Sequence, residues 1–137
     1  MTNMELVELA IAARERAYCP YSNFAVGAAL LTKSGKVYQG CNIENAAFTP
    51  TSCAERTAFF TAIYQGERDF AAIAVVGGPA GKPVSELCAP CGVCRQVMRE
   101  FCADDFPVIL SRGDGTCRVF PLVELLPMGI TGADLVD

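Results

Sequence analysis

Pro90-Cys91-Gly92-Val93-Cys94 sets two thiols three residues apart where a helix is due to begin. The Gly- and Pro-rich stretch from Gly77 to Pro90 reads as a loop, and from Cys91 onward Val93, Val97 and Phe101 recur on one helical face. Upstream, Cys53 opens a second helix that reads to Tyr64, with Ala54, Ala58, Ala62, Phe59 and Ile63 turned inward. The apolar run Ala71 to Val76 between these helices is a buried strand. Working outward, Phe24 to Leu31 and Lys36 to Cys41 read as strands joined at Ser34-Gly35, and Asn42 to Thr51 as a loop. Val108 to Leu110 and Thr116 to Phe120 read as two more strands around Gly113-Asp114-Gly115, followed by a short helix from Leu122 to Leu126. Leu6, Ala10, Ala13 and Ala17 line one face of a first helix, which Tyr18-Cys19-Pro20-Tyr21 ends. The order α-β-β-α-β-α-β-β-α predicts an α/β fold: a five-stranded sheet covered by helices, in a single domain over residues 1–137.

The composition narrows the chemistry. The chain has 8 cysteines and no histidine, so acid–base work falls on carboxylates, thiols, lysines or a metal-bound water. Met1-Thr2-Asn3-Met4-Glu5 has neither a basic nor an apolar stretch, and no apolar run is long enough to span a bilayer. The expectation is a cytoplasmic protein with no membrane partner, where clustered thiols bind metal more often than they pair. The net charge is −4 and no cationic run stands out, which disfavours a polynucleotide partner, since phosphate neutralisation dominates such binding.

Thiols three apart share a helix face. Two sulfurs of a tetrahedral zinc site sit roughly 3.8 Å apart, a spacing that one helical turn can meet. Cys53, Cys91 and Cys94 all lie at predicted helix starts, where the positive end of the helix favours thiolate. Pro-Cys-x-x-Cys downstream of a Cys-x-Glu segment is the pattern of zinc deaminases, in which the Glu, here Glu55, moves protons and is not a ligand. Three protein ligands leave a position for water. A zinc with three thiolates carries negative charge, and Arg56 and Arg95, each beside a ligand, are the compensating cations. Other readings stay open. Ser52-Cys53-Ala54-Glu55 also fits an S-x-x-E capping box. Cys88 could join the other three thiols in a closed structural site. An iron–sulfur cluster motif would need a cysteine where Met98 stands. Cys19, Cys41, Cys102 and Cys117 are expected to be buried thiols without a chemical role.

Five segments together resemble the short, homotetrameric cytidine deaminases. They are Ala17 to Phe24, Val26 to Leu30, Gly40 to Ala47, Cys53 to Ala58, and Pro90 to Gln96. The resemblance implies a three-layer α-β-α fold with a mixed five-stranded sheet. It implies one zinc ion per chain on Cys53, Cys91 and Cys94, with Arg56 donating to the thiolates. It implies hydrolytic deamination of cytidine and deoxycytidine by a zinc-activated water, in pyrimidine salvage, with Glu55 carrying the proton. Phe24 would pack on the pyrimidine, backbone near Ala54 and Pro90 would contact the base, and Asn42 and Glu44 would hold the ribose hydroxyl. Asn42 and Glu44 also lie two apart at a strand end, so extended geometry puts both side chains on one side; a purely loop-capping role is the alternative. The chain departs from the family at Ala89, where many relatives carry Ser, at Cys88, and at Ile130, where relatives place an aromatic that reaches a neighbouring subunit's ligand. Related readings are a deaminase of another cytosine-like compound, an editing deaminase of polynucleotides, and a structural zinc module.

Overall fold

The computed structural model describes residues 1–135; the last two residues of the expected domain lie outside them. The elements run α1 (Asn3–Arg14), β1 (Phe24–Thr32), β2 (Val37–Cys41), α2 (Ala54–Tyr64), β3 (Phe70–Pro79), α3 (Gly92–Phe101), β4 (Pro107–Leu110), β5 (Arg118–Pro121) and α4 (Leu122–Leu125), with a 3₁₀ turn at Gly132–Leu135. The expected order holds throughout and the expected bounds hold to within a few residues. The largest differences are at β3, which extends three residues past Val76 to Pro79, and at α1, which ends at Arg14 well before Pro20.

The strands form one sheet in the order β2-β1-β3-β4-β5. It is mixed, as expected. β3 and β4 are parallel, with α3 as the crossover between them, and every other neighbouring pair is antiparallel. Alternation along the central strands divides the core into two faces. Ala28, Leu30, Ile73, Val75, Val108 and Leu110 face α2 and α3, packed against Phe59, Ala58 and Met98. Ala29, Ala72, Ala74, Val76 and Ile109 face α1, packed against Leu6, Val7 and Ala10. The result is the predicted three-layer α-β-α arrangement.

Two glycines set how closely the helices lie on the sheet. A Cβ on Gly27 would stand 2.0 Å from the Ala10 carbonyl of α1, and one on Gly40 would stand 2.3 Å from the Ala54 carbonyl of α2. Side chains there would lift both helices off the sheet. Gly40 therefore fixes the height of the helix that begins beside Cys53 and carries Glu55.

The helix starts differ in kind. At α1, Thr2 and Glu5 form a reciprocal capping box. At α2 and α3 the N-cap residues are Cys53 and Cys91, both in extended geometry and neither with a side-chain cap bond. The capping-box reading of Ser52 and Glu55 is thus corrected. The Ser52 hydroxyl bonds the Cys53 carbonyl and Thr57 instead, leaving Glu55 for another role.

Candidate active site

The N-termini of α2 and α3 converge, because both helices pack on the same face of the sheet. Their cap residues bring three thiols together. Cys53 and Cys91 sulfurs are 3.7 Å apart, Cys91 and Cys94 are 3.4 Å apart, and all three lie within 4.8 Å of one another. These separations match the roughly 3.8 Å expected between sulfurs around a tetrahedral zinc. Cys94 is buried, Cys53 half-buried and Cys91 exposed, so the cluster opens on one side. Cys88 is not part of it: among the described residues the metal-capable cluster comprises Cys53, Cys91 and Cys94. The donor set therefore fits zinc with an open coordination position, and it does not form a closed four-thiolate site.

Charge around the cluster is arranged for thiolate. The Cys94 thiol and Arg56 both donate to Cys53, and together they hold its pKa at about 5 against the opposing effect of burial. Cys94 is pushed the other way, by its hydrogen bond to Cys53 and then by burial, because a second anion beside the first is disfavoured. The Arg56 Nη2 stands 3.1 Å from the Cys53 sulfur, as the compensating role requires. Arg95, expected to share that role, does something else. Its Nε donates to the Pro90 carbonyl and its Nη1 to the Leu125 carbonyl, both at 2.7 Å. It fixes the residue before Cys91 and the end of α4, and among the described residues no bond runs from it to a ligand sulfur.

Glu55 lies two residues beyond Cys53, in the first turn of α2, and is 3% exposed. Burial raises its pKa most, with the Cys53 charge adding to it, while its own backbone, Cys94 and Arg56 pull it down. A carboxyl held this way takes up a proton more readily than a surface one, and it has no salt-bridge partner among the described residues.

Glu55, Cys53 and Cys91 line a cavity of about 310 Å³ whose walls include Phe24, Val26, Asn42, Glu44, Ala54, Cys88 and Ala89. Phe24, Asn42, Glu44 and Ala54, all expected to touch substrate, reach this one space, whereas Pro90, also expected to contact the base, lies between the lining residues Ala89 and Cys91 without lining it. The sugar-side groups keep some bonding capacity. Glu44 accepts from the Tyr21 and Ser22 amides with Oε1 and from the Ser22 hydroxyl with Oε2. One lone-pair direction on Oε2 stays free. These donors, the Ser22 hydroxyl first, lower the Glu44 pKa. Asn42 is buried, accepting from the Val26 amide at 2.9 Å and donating to the Phe24 carbonyl at 2.8 Å. Its amide keeps one N–H and one lone pair, while its bonded half shapes the start of β1.

Ile130 is half-exposed, and its carbonyl accepts from Gln96 of α3. Cys19, Cys41, Cys102 and Cys117 are half-buried, not fully buried as expected, because they sit at strand ends, helix ends and loops. Arg14, which no sequence signal marks, is almost completely buried.

Comparison with known proteins agrees with this geometry. Residues 1–110 match the family described as the cytidine and deoxycytidylate deaminase zinc-binding region. The chain is 50% identical, over the full length of both, to a cytidine deaminase from Halalkalibacterium halodurans. It is 52% identical to one from Sporosarcina psychrophila over 90% of this chain and 87% of that one. Its fold superposes on the crystal structure of a cytidine deaminase from Burkholderia pseudomallei with a TM-score of 0.86, at 52% identity, covering 95% of this chain and 100% of that one. With three thiols at zinc spacing, a buried carboxyl beside them and a family match over most of its length, the chain belongs to the zinc-dependent cytidine and deoxycytidylate deaminase family.

Proposed function

We propose that this protein hydrolyses the amino group from cytidine and deoxycytidine, giving uridine or deoxyuridine and ammonia, as a step of pyrimidine salvage. The observation that carries the reading is the buried carboxyl of Glu55, without a salt bridge among the described residues, at the cavity end formed by an open-sided cluster of three thiols. Cys53, Cys91 and Cys94 would hold a zinc ion, and that ion would supply a Lewis acid able to bring the pKa of a water towards neutrality. Glu55 would take a proton from the water as its oxygen bonds C4, pass that proton to N3, and carry the second proton to the amino nitrogen as the C4–N bond breaks and ammonia leaves. Arg56 offsets the charge of the thiolates. Phe24 packs on the pyrimidine, and backbone at Ala54 meets the base. The free lone pair of Glu44 and the spare N–H of Asn42 hold a ribose hydroxyl, which places the base end at the thiols.

The same reading gives the assembly and the setting. The whole chain, residues 1–137, acts as one zinc domain, as a homotetramer, in the cytoplasm, on free nucleosides and not on polynucleotides. Support for a partner subunit comes from side chains left in solvent around the cavity mouth and on the α2 and α3 surfaces. Tyr18, Tyr21, Ile43 and Phe48 are exposed at the first, and Phe60, Tyr64 and Val93 at the second. Ile130 would close the base end of a neighbouring site without stacking. No helix among the described residues is long and apolar enough to cross a membrane.

Loss of ultraviolet absorbance on mixing cytidine with the zinc-loaded protein tests the activity, and free cytosine is the control. Turnover of cytidine but not cytosine is expected. Equal turnover of both would remove the sugar contacts, and no turnover of either would remove the reading. Light scattering that finds an active monomer would remove the assembly.

A further inference from the structure

We propose that Arg14 is a positioning residue for this reaction: its guanidinium, buried between α1 and the sheet, clamps the ends of β1 and β3 and so sets where Phe24 meets the base. The inference rests on the reading that Phe24 is a base contact.

Arg14 is the last residue of α1 and is 5% exposed. Its Nε donates to the Ala25 carbonyl at 3.1 Å, and its Nη2 donates to the Gly78 carbonyl at 3.1 Å and the Pro79 carbonyl at 2.6 Å. No carboxylate pairs with it among the described residues. A buried cation that spends its donors on three backbone carbonyls holds backbone in place, and a planar fork does this in a way a single ammonium cannot.

The carbonyls it holds are those that matter to the cavity wall. In the sheet Phe24 pairs with Pro79, Ala25 with Gly78 and Val26 with Gly77. Arg14 therefore grips both strands at adjacent pairs on the side away from the cavity. On the cavity side Asn42 grips the same backbone, through the Phe24 carbonyl and the Val26 amide. The peptide units around Ala25 are held from two faces, and the side chains flanking it, Phe24 and Val26, both line the cavity. The neighbouring Gly77 leaves no slack. A Cβ there would meet the Cys88 sulfur at 2.7 Å and the Phe24 ring at 3.1 Å. A shift of the β3 end moves the two walls of the base pocket together. Cys53, Glu55 and Arg56 belong to α2 and the loop before it, and Cys91 and Cys94 to α3 and its cap, so none of them rides on the clamp.

The test compares Arg14→Met, Arg14→Lys and Phe24→Ala in the zinc-loaded protein, measuring kcat and KM for cytidine, zinc content and melting temperature. A small displacement of a positioning wall costs catalytic efficiency by up to about 100-fold. Arg14→Met should raise KM about tenfold or more, with kcat within about twofold and zinc retained. Arg14→Lys, which restores one cationic donor centre, should recover part of the loss in KM. An Arg14→Met protein that melts lower but keeps wild-type KM would overturn the proposal, because the clamp would then serve the fold alone. A loss confined to kcat, or loss of zinc, would overturn it too. If the Met variant does not fold, the Lys variant decides by its KM, and failure of both to fold assigns Arg14 to the fold and overturns the positioning role. Phe24→Ala separates the premises. Unchanged KM there removes the base contact itself, whereas raised KM there beside normal KM in the Arg14 variants removes only the clamp.

Discussion

Replacing Glu55 by Gln keeps the volume and shape of a side chain that is 3% exposed, and changes only its ability to carry a proton. The structure leaves no understudy. The chain has no histidine, and the other carboxylate lining the cavity, Glu44, belongs to the opposite end with Oε1 fully committed to backbone amides. A positioned acid–base group contributes about 10²–10⁴-fold, equivalent to about 3–5.5 kcal/mol of barrier. Glu55 is asked to act in more than one proton transfer, so the loss should lie near the upper figure, about 10⁴-fold in kcat. Zinc content should not change, since the three thiols are untouched. Stability of the metal-free protein should follow the sign of the pKa shift. Burial raises the folded-state pKa of Glu55, so its protonated form is favoured by folding and this advantage is lost as pH rises through that raised value. The Gln variant does not titrate, so metal-free wild type should lose ground to it on going from below pH 4.5 toward neutrality. Single-turnover kinetics on cytidine, zinc analysis and thermal melts at two pH values make the measurement. Residual activity within about tenfold of wild type, with zinc bound, would refute the assignment of Glu55 as proton carrier.

Four further outcomes are expected. Elemental analysis should find one zinc per chain, and Cys88→Ala should keep it with nearly full activity, because Cys88 lines the cavity outside the thiol cluster. Burial first, then the charges of Glu55 and Cys53, pushes the Cys88 thiol up to about 11, so its alkylation, followed by peptide mapping, should be slow at neutral pH and speed up with pH until near that value. The lowered pKa of Glu44 keeps its carboxylate ionised, so KM for cytidine should stay flat as pH falls toward 4.5; a KM that climbs well above that pH would contradict the sugar contact. Gly40→Ala drives a methyl into the α2 backbone and should destabilise the protein by roughly 1–3 kcal/mol in denaturant melts.

What could be read in the sequence, and what could not, divides along a physical line. Helices and strands with strong apolar periodicity gave themselves away, and so did the thiols, whose chemistry depends on local spacing at helix starts. The same four-residue pattern gave two outcomes. Thr2-Asn3-Met4-Glu5 forms a capping box, while Ser52-Cys53-Ala54-Glu55 does not. In an exposed first turn the Glu has nothing better than its own backbone to bond. At α2 the packing of two helix ends buries the carboxyl beside thiols, and that tertiary demand overrides the local motif. Arg95 shows the same limit. Its place next to a ligand suggested charge compensation, but a long side chain goes where unpaired carbonyls are, and those of Pro90 and Leu125 come near it only in the folded chain.

Arg14 is set by folding in the same way. At the end of a helix, among Ala13, Glu15 and Arg16, it reads as a solvated cation. Its burial follows from Gly27, which lets α1 sit so low on β1 that the Arg14 backbone would lie within 2.5–2.9 Å of a Cβ there. With no room beside the strand, the side chain runs along the sheet to its end and reaches the carbonyls of Gly78 and Pro79, the second of which also accepts from the Lys82 amide. A glycine on one strand thus determines where a helix cation goes, and that cation determines where a strand end, and the Phe24 ring on it, stands in the cavity. The thiol cluster could be found from spacing because its geometry is local to two helix caps. The wall that faces it is built by three elements, α1, β1 and β3, whose contact exists only after folding, and so the residue that sets it carries no signature in the chain.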